Sequence, residues 1–229
     1  MPGAPSASEP RFANRRQAGL ALAERLSHLA GRDDVVVLAL PRGGVPVAYE
    51  VARALHAPLD VFVVRKLGLP GHEEFAIGAI ASGGIQVINR EAVALYGLPD
   101  ATIETVARAE RRELERRERI YRTGRAPVPL EGRVVVLVDD GLATGATMRA
   151  AVLAARQRQP SRIVVAVPVG SRDTCREIGE TADEVVCVSM PEPFLAVGLW
   201  YQDFSQTSDE EVRLLLAAVP PPQPLQRSA

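Results

Sequence analysis

The sequence predicts an α/β protein with a five-stranded, mostly parallel sheet flanked by helices and a small cap, or hood. Short apolar runs, typical of strands buried on both faces, cover residues 35–40, 59–64, 134–138, 163–167 and 185–188. Stretches of helical period separate most of these runs, and this alternation is typical of parallel strands joined by right-handed crossovers. Turns of glycine and other small residues follow two of the runs directly. Open parallel sheets bind their ligands at this edge.

The remaining elements follow from local pattern and turn chemistry. Amphipathic spacing predicts helices over residues 11–30, from Pro46 onward, and over 90–97, 100–122, 146–156, 173–179 and 209–217. Asp100 is expected to cap the fourth of these helices. Residues 75–81 and 85–89 are predicted to form a hairpin around Ser82-Gly83-Gly84. Residues 67–74 are expected to form a loop, with Gly68 and Gly71 as hinges.

Length and composition suit one globular domain with extensions. The chain has 229 residues and a formal net charge of −1, which gives no electrostatic basis for binding nucleic acid. We expect a domain over residues 11–219, with a core at about 33–190 and a hood formed by residues 11–30, 191–217 or both. Residues 1–10 are rich in Pro, Ser and Ala, and residues 220–229 contain four prolines. Both ends are therefore expected to be disordered.

Hydropathy and cysteine usage bear on the compartment. No segment approaches the ~18 apolar residues of a membrane span, and the first ten residues lack the apolar run of a signal peptide. Cys175, on a predicted helix, and Cys187, in an apolar run, are expected to be buried thiols. These features predict a cytoplasmic protein without a membrane partner.

The stretch from Val134 to Thr147 is the most informative part of the sequence. Asp139 and Asp140 directly follow a buried strand, and two unpaired carboxylates cannot both be buried, because desolvating a charge is costly. The next turn, residues 143–147, is small and hydroxylated and enters a helix. We call it the cradle, because its N–H groups, its hydroxyls and the positive helix end can bind a phosphate. A ribose 5-phosphate fits this pattern; a simple helix-capping turn with two solvated aspartates is the alternative.

Val134 to Thr147 resembles the signature of the type I phosphoribosyltransferases, which bind 5-phosphoribosyl 1-pyrophosphate (PRPP) with magnesium. The whole chain looks like a bacterial phosphoribosyltransferase-like group whose acceptor is unsettled. The resemblance implies that Asp139 and Asp140 are catalytic and accept hydrogen bonds from the ribose hydroxyls. It implies a cofactor, Mg²⁺, held through PRPP, water and these two aspartates. It assigns the 5-phosphate to Ala143, Thr144, Gly145, Ala146 and Thr147.

The turn after the first strand holds pyrophosphate in the resembled family. Arg42, Gly43 and Gly44 fit that role here, because two glycines let backbone N–H groups approach an anion closely. The alternative is an ordinary strand-to-helix turn. Arg65 and Lys66 follow the second predicted strand, where the family usually has a basic residue. We favour Lys66 over Arg65 as a further pyrophosphate ligand and catalytic residue.

Related enzymes close a mobile loop over the reaction at about this place, and closure excludes water from the activated sugar. We therefore expect residues 65–74 to form a lid. His72, Glu73 and Glu74 are its titratable groups, and Glu74 is the candidate for a catalytic role. Simple solvation of these side chains is the alternative.

Several aromatic residues lie near the end of a chain with few rings. In the resembled family a variable hood stacks the acceptor base on apolar groups, and Trp200, Tyr201 and Phe204 fit this role. The alternative is that they anchor the C-terminal helix to the core. Ala143 stands where family members that use hypoxanthine or guanine carry an aspartate. The resemblance therefore implies poor turnover of these two bases.

The first functional hypothesis is an enzyme: a phosphoribosyltransferase that uses PRPP and Mg²⁺, transfers the phosphoribosyl group to a small nitrogen acceptor and releases pyrophosphate. The alternative is a non-catalytic protein that senses PRPP or a nucleotide and acts through a partner. An unrelated hydrolase is disfavoured, because the Gly-x-Ser-x-Gly motif is absent from the sequence. Neither hypothesis involves nucleic acid. The sequence is compatible with a homodimer and does not determine the acceptor.

Overall fold

The computed structural model describes residues 12–219, and these form two sheets and seven α-helices. The strands are β1 (Val35–Ala39), β2 (Leu59–Val61), β3 (Val64–Leu69), β4 (His72–Ala81), β5 (Ile85–Ile88), β6 (Val134–Val138), β7 (Arg162–Val169) and β8 (Glu184–Ser189). The helices are α1 (Arg15–Arg25), α2 (Gly44–Leu55), α3 (Arg90–Leu95), α4 (Asp100–Arg122), α5 (Ala146–Arg156), α6 (Arg172–Gly179) and α7 (Asp209–Ala217). Short 3₁₀ turns cover Ser27–Leu29 and Val197–Trp200.

The central sheet has five parallel strands in the order β2-β1-β6-β7-β8, which confirms the predicted fold class. The chain runs outward from β1 to β2 on one side and from β6 to β7 on the other. The gap between β1 and β6 is therefore the switch point at which such sheets bind ligands. Ala39 is level with Val138 in the register, so the two strands end side by side.

Both faces of this sheet are covered, which explains its continuous apolar strands. Val35, Val37 and Ala39 belong to one core with α1, α2 and α7, whereas Val36 and Leu38 belong to a second core with α5 and α6. These strand residues are almost completely buried, and full burial of one such aliphatic side chain contributes about 1.5–3 kcal/mol. The strand ends are thereby held rigidly. None of the helices in the described part of the chain is long and apolar enough to cross a membrane.

The segment after β2 corrects the sequence prediction. The predicted strand 59–64 divides: β2 stays in the central sheet, and β3 pairs antiparallel with β4, which pairs with β5. The loop expected at residues 67–74 is wrong, because residues on both sides of the turn at Pro70 and Gly71 are in strands. Leu67 and Leu69 are buried, and the register shift at Gly68 is a bulge, a common place for glycine in a strand.

The helix boundaries differ from expectation in smaller ways. α1 begins at Arg15, after Asn14, whose side chain accepts a hydrogen bond from the Gln17 N–H. Phe12 precedes it in an extended bridge with Tyr201. Asp100 is the first residue of α4 and does not cap it; Pro99 holds the capping position. The disorder expected for residues 1–10 and 220–229 concerns parts of the chain outside the described residues.

Candidate active site

The cradle lies between β6 and α5, beside the switch point. Gly145 holds the capping position before α5, has a φ of 69° and has no side chain with which to cap that helix. The first N–H groups of a helix have no acceptor within it, so the start of α5 is suited to an anion. Thr144 and Thr147 are exposed, as are Ala143 and Ala146. The cradle thus has the composition and position that the sequence predicts for it.

Neighbouring elements fix the backbone of the cradle. Thr174 Oγ1, on α6, donates to the Ala143 carbonyl at 2.7 Å. The Arg149 guanidinium donates to the Thr144 carbonyl at 2.6 Å and pairs with Glu177 at 2.9 Å. Sequence analysis did not identify Thr174 or Arg149. Their contacts depend on how α6 packs beside α5, and no local pattern reports that packing.

The aspartate pair lies at the end of β6, and both residues are partly buried. Asp139 Oδ1 accepts the Asp140 N–H at 2.8 Å. Burial raises the pKa of Asp139 well above its ordinary value, and the charge of Asp140 raises that pKa further. Burial also raises the pKa of Asp140, while Arg15 opposes this rise through its charge and its hydrogen bond. A bound cation, or sugar hydroxyls that donate to the carboxylates, would therefore favour the ionised form of the pair.

Asp140 already has partners from both ends of the described chain. Arg15, at the start of α1, forms an ion pair with Asp140 Oδ2 at 2.8 Å, and its Nε donates to the same oxygen at 2.9 Å. The Tyr201 hydroxyl donates to the Asp140 carbonyl at 2.6 Å. The alternative of two solvated aspartates is therefore wrong for Asp140, whose carboxylate is paired with Arg15. Arg15 had no local sequence signal, because it lies 125 residues away.

The turn after β1 packs directly against the aspartates. A Cβ on Gly43 would lie 2.0 Å from Asp140 Oδ2, and one on Gly44 would lie 2.7 Å from the Val138 carbonyl oxygen. Larger residues would therefore displace the aspartates or the turn. The Pro41–Arg42 peptide bond is cis, and the Arg42 guanidinium is 3.8 Å from an oxygen of Asp209 on α7. The structure thus brings the turn after β1 against the two aspartates at the end of β6.

Arg65 and Lys66 are neighbours on β3, but their side chains lie on opposite faces of that strand. Arg65 pairs with Glu110 of α4 at 2.6 Å, so its charge is already matched away from the cradle. Lys66 lines a cavity of about 440 Å³ between the three-stranded sheet and α5, together with Ala146 and Thr147. Adjacent strand residues face opposite sides, which explains the difference. Glu73 and Glu74 fall within β4, and their side chains lie outside the described part of the structure.

The aromatic residues of the expected hood are mostly inside the protein. Trp200 and Tyr201 are 5% and 4% exposed and pack in a small core with Phe12, Ala18 and Val169. Their faces are therefore not open to a base. They pack with the N-terminal segment, α1 and β7, whereas the buried residues of α7 belong to another core, so these contacts do not anchor the C-terminal helix. Phe204 is 37% exposed, and its ring lies 4.0 Å from the guanidinium carbon of Arg15. Residues from both chain ends therefore cover this side of the site.

Comparison with known proteins places this architecture in a family. Residues 14–200 match the phosphoribosyl transferase domain. A Mycobacterium tuberculosis H37Rv protein provisionally named a phosphoribosyl transferase is 51% identical over 201 residues, which cover 88% of this chain and 45% of that protein. The chain thus spans about half the length of this relative. The crystal structure of TT1426 from Thermus thermophilus matches with a TM-score of 0.82 and 47% identity, covering 91% of this chain and 99% of that one. The chain belongs to the phosphoribosyl transferase family.

Proposed function

We propose that this chain is a phosphoribosyltransferase that uses PRPP and Mg²⁺ and transfers the phosphoribosyl group to a small nitrogen acceptor. The observation that carries the proposal is the direct packing of Gly43 and Gly44 on the strand end that bears Asp139 and Asp140. One ligand can therefore reach the cradle, the carboxylates and the β1 turn together. PRPP has a phosphate, two hydroxyls and a pyrophosphate to meet these three features.

Each part of PRPP has a proposed place. The 5-phosphate binds the cradle, residues 143–147, and the ribose hydroxyls donate to Asp139 and Asp140. The pyrophosphate binds at the turn formed by Arg42, Gly43 and Gly44, through the N–H groups of Arg42 and Gly43, since the Gly44 N–H donates to the Leu40 carbonyl at 3.1 Å. Sequence analysis assigned Lys66 to the pyrophosphate. Because Lys66 shares its cavity with Ala146 and Thr147, we place its charge instead beside the cradle and the ribose.

The chemical work of such a site is positioning and charge stabilisation. The acceptor nitrogen forms a bond to C1 of the ribose as the bond from C1 to pyrophosphate breaks, and the sugar becomes cationic in between. Two carboxylates fixed next to the ribose stabilise that positive charge, and the two anion-binding turns hold both ends of the donor in line. The acceptor releases a proton when it becomes bonded to the sugar.

The residues present fit a magnesium ion that is bound with its substrate. Among the side chains that the structure describes, which exclude those of Glu73 and Glu74, no group of three or more His, Cys, Asp or Glu residues could hold a metal by itself. Magnesium commonly binds through one or two carboxylates together with substrate phosphates and water. Asp139 and Asp140 supply such oxygens, and the ion would neutralise charge on the departing pyrophosphate.

The proposal is tested by calorimetric titration of magnesium–PRPP into the wild type and an Asp139→Asn/Asp140→Asn double variant. A hydrogen bond to a charged group contributes about 1.5–3 kcal/mol, so each lost carboxylate should weaken binding at least about tenfold. Asp173→Asn is the matched control, because Asp173 pairs with Arg176 on the surface of α6 and is 77% exposed. Unchanged affinity in a folded double variant would show that the aspartates do not bind the ribose.

A regulatory protein that binds PRPP without turnover is the second candidate. It is favoured by one observation: the segment expected to be a mobile lid is built into a three-stranded sheet. A screen of bases and small amines for pyrophosphate release from PRPP separates the two functions. Tight PRPP binding with no release across the panel would select the regulatory protein.

A further inference from the structure

Arg15, the first residue of α1, makes several polar contacts beside the aspartate pair. Its side chain is 11% exposed and the Asp140 side chain 16%. Two of its nitrogens bind Asp140 Oδ2, at 2.8 Å and 2.9 Å, and a third donates to the Ser205 carbonyl at 2.7 Å. The Phe204 ring lies against the guanidinium at 4.0 Å. The guanidinium is therefore fixed on its edges and on one face.

This geometry acts on one carboxylate oxygen. Both contacts from Arg15 reach Oδ2 of Asp140 and neither reaches Oδ1. The Tyr201 hydroxyl fixes the backbone of the same residue at 2.6 Å. Arg15 holds the carboxylate through one oxygen, and Tyr201 fixes the backbone of the same residue. The Asp140 side chain has therefore lost most of its rotational freedom. Charge-assisted hydrogen bonds of this kind are the stronger class in proteins.

We propose that Arg15 is the positioning residue of the ribose site: it holds Asp140 Oδ2 so that the carboxylate is already oriented when a ribose hydroxyl arrives. Arg15 acts through Asp140 and does not touch the sugar. The proposal rests on the proposed function, because it assigns to Asp140 the binding of a ribose hydroxyl. It adds a residue from the N-terminal segment to a site otherwise built from strand ends and their turns.

The attachment of α1 to the body of the protein has other sources. Ala18 and Leu22 are fully buried, and Arg16 pairs with the buried Glu50 of α2 at 3.0 Å. Gly19 lies so close to α2 that a Cβ there would be 2.7 Å from the Val47 carbonyl oxygen. These contacts hold α1 in place without Arg15. The direction of the Arg15 side chain toward Asp140 is thus a separate feature of the sequence.

The test is a double-mutant cycle on the affinity for magnesium–PRPP, measured by calorimetry. Arg15→Met should weaken binding about tenfold, the effect of losing roughly one charge-assisted hydrogen bond. In an Asp140→Asn background the same change should have less than a twofold effect, since the group that Arg15 orients is gone. Arg15→Lys should recover part of the lost affinity, because an ammonium group keeps the charge but lacks the paired N–H donors of the guanidinium.

Arg16→Met is the matched control, because Arg16 is the next residue on the same helix and also pairs with a carboxylate. It should change PRPP affinity less than twofold, and thermal unfolding of every variant should confirm a folded protein. Unchanged or tighter binding in Arg15→Met would overturn the proposal, as would an equal loss in both Asp140 backgrounds. A wild type that binds no PRPP would refute the proposed function itself and this inference with it.

Discussion

Replacing Gly145 with alanine should weaken both the fold and phosphate binding. The φ of Gly145 is 69°, in the left-handed region where a residue with a Cβ costs about 1–2 kcal/mol. That Cβ would also lie 2.6 Å from Cγ2 of Thr174, and overpacking of this kind costs about 1–3 kcal/mol. Together the two effects should lower the free energy of unfolding by about 2–5 kcal/mol.

Gly132→Ala separates the two contributions. Gly132 has the same φ of 69°, but a Cβ there meets no atom within 4 Å. Urea unfolding should show a loss of about 1–2 kcal/mol for Gly132→Ala and a larger loss for Gly145→Ala. Adding Thr174→Ser to Gly145→Ala removes Cγ2 and keeps the Oγ1 donor to the Ala143 carbonyl. This second change should recover stability.

Ligand binding gives the second measurement. Calorimetry with ribose 5-phosphate should show weaker binding for Gly145→Ala. The backbone of the cradle must shift to relieve the close contact with Thr174, and this shift moves the N–H groups that bind the phosphate. Gly132→Ala should bind as the wild type does. Equal losses of stability in the two alanine variants would refute the argument from the Thr174 contact. Unchanged ribose 5-phosphate affinity in Gly145→Ala would refute the placement of the phosphate.

Three further predictions follow from the same structure. Asp139→Asn should raise the melting temperature at neutral pH, because burial raises the pKa of Asp139 and the ionised carboxylate therefore destabilises the fold. Calorimetric scans should show that this advantage of the variant shrinks as the pH falls through that pKa. Arg122→Met should cost about 3–5 kcal/mol in urea unfolding, since it leaves Asp60, bound at 2.9 Å, as a buried unpaired charge. With Ala143 in place of an aspartate, purified protein should form little inosine or guanosine monophosphate, and Ala143→Asp should affect any such activity; rapid formation unaffected by that change would contradict the prediction.

The central sheet was predictable because its strands have one physical interpretation. A run such as Val134 to Val138 is apolar at every position, which suits a strand covered on both faces. The segment after β2 was not predictable in the same way. Gly68 and Gly71 looked like hinges, yet one lies at a bulge and the other in a tight turn. Glycine allows both outcomes, and pairing with β4 decided between them.

The candidate site likewise contains a part that was predictable from the sequence and a part that was not. The cradle and the aspartates are contiguous in sequence, so their chemistry could be predicted from local pattern. Arg15 and Thr174 contact this stretch across 125 and 31 residues, and neither belongs to a motif. Trp200 and Tyr201 were recognised as important rings, but they are buried by packing with residues distant in the sequence, such as Phe12 and Ala18.

The joining of distant segments at Asp140 sets the order in which the site is completed during translation. Tyr201 is added to the chain 61 residues after Asp140. At about 5–20 residues per second, the ribosome needs roughly 3–12 s to synthesise that interval. A nascent chain can pair β1 with β6 and form the cradle during this time, whereas the backbone of Asp140 still lacks its phenol partner. The proposed ribose site should therefore be completed late in synthesis, after the proposed phosphate site beside it.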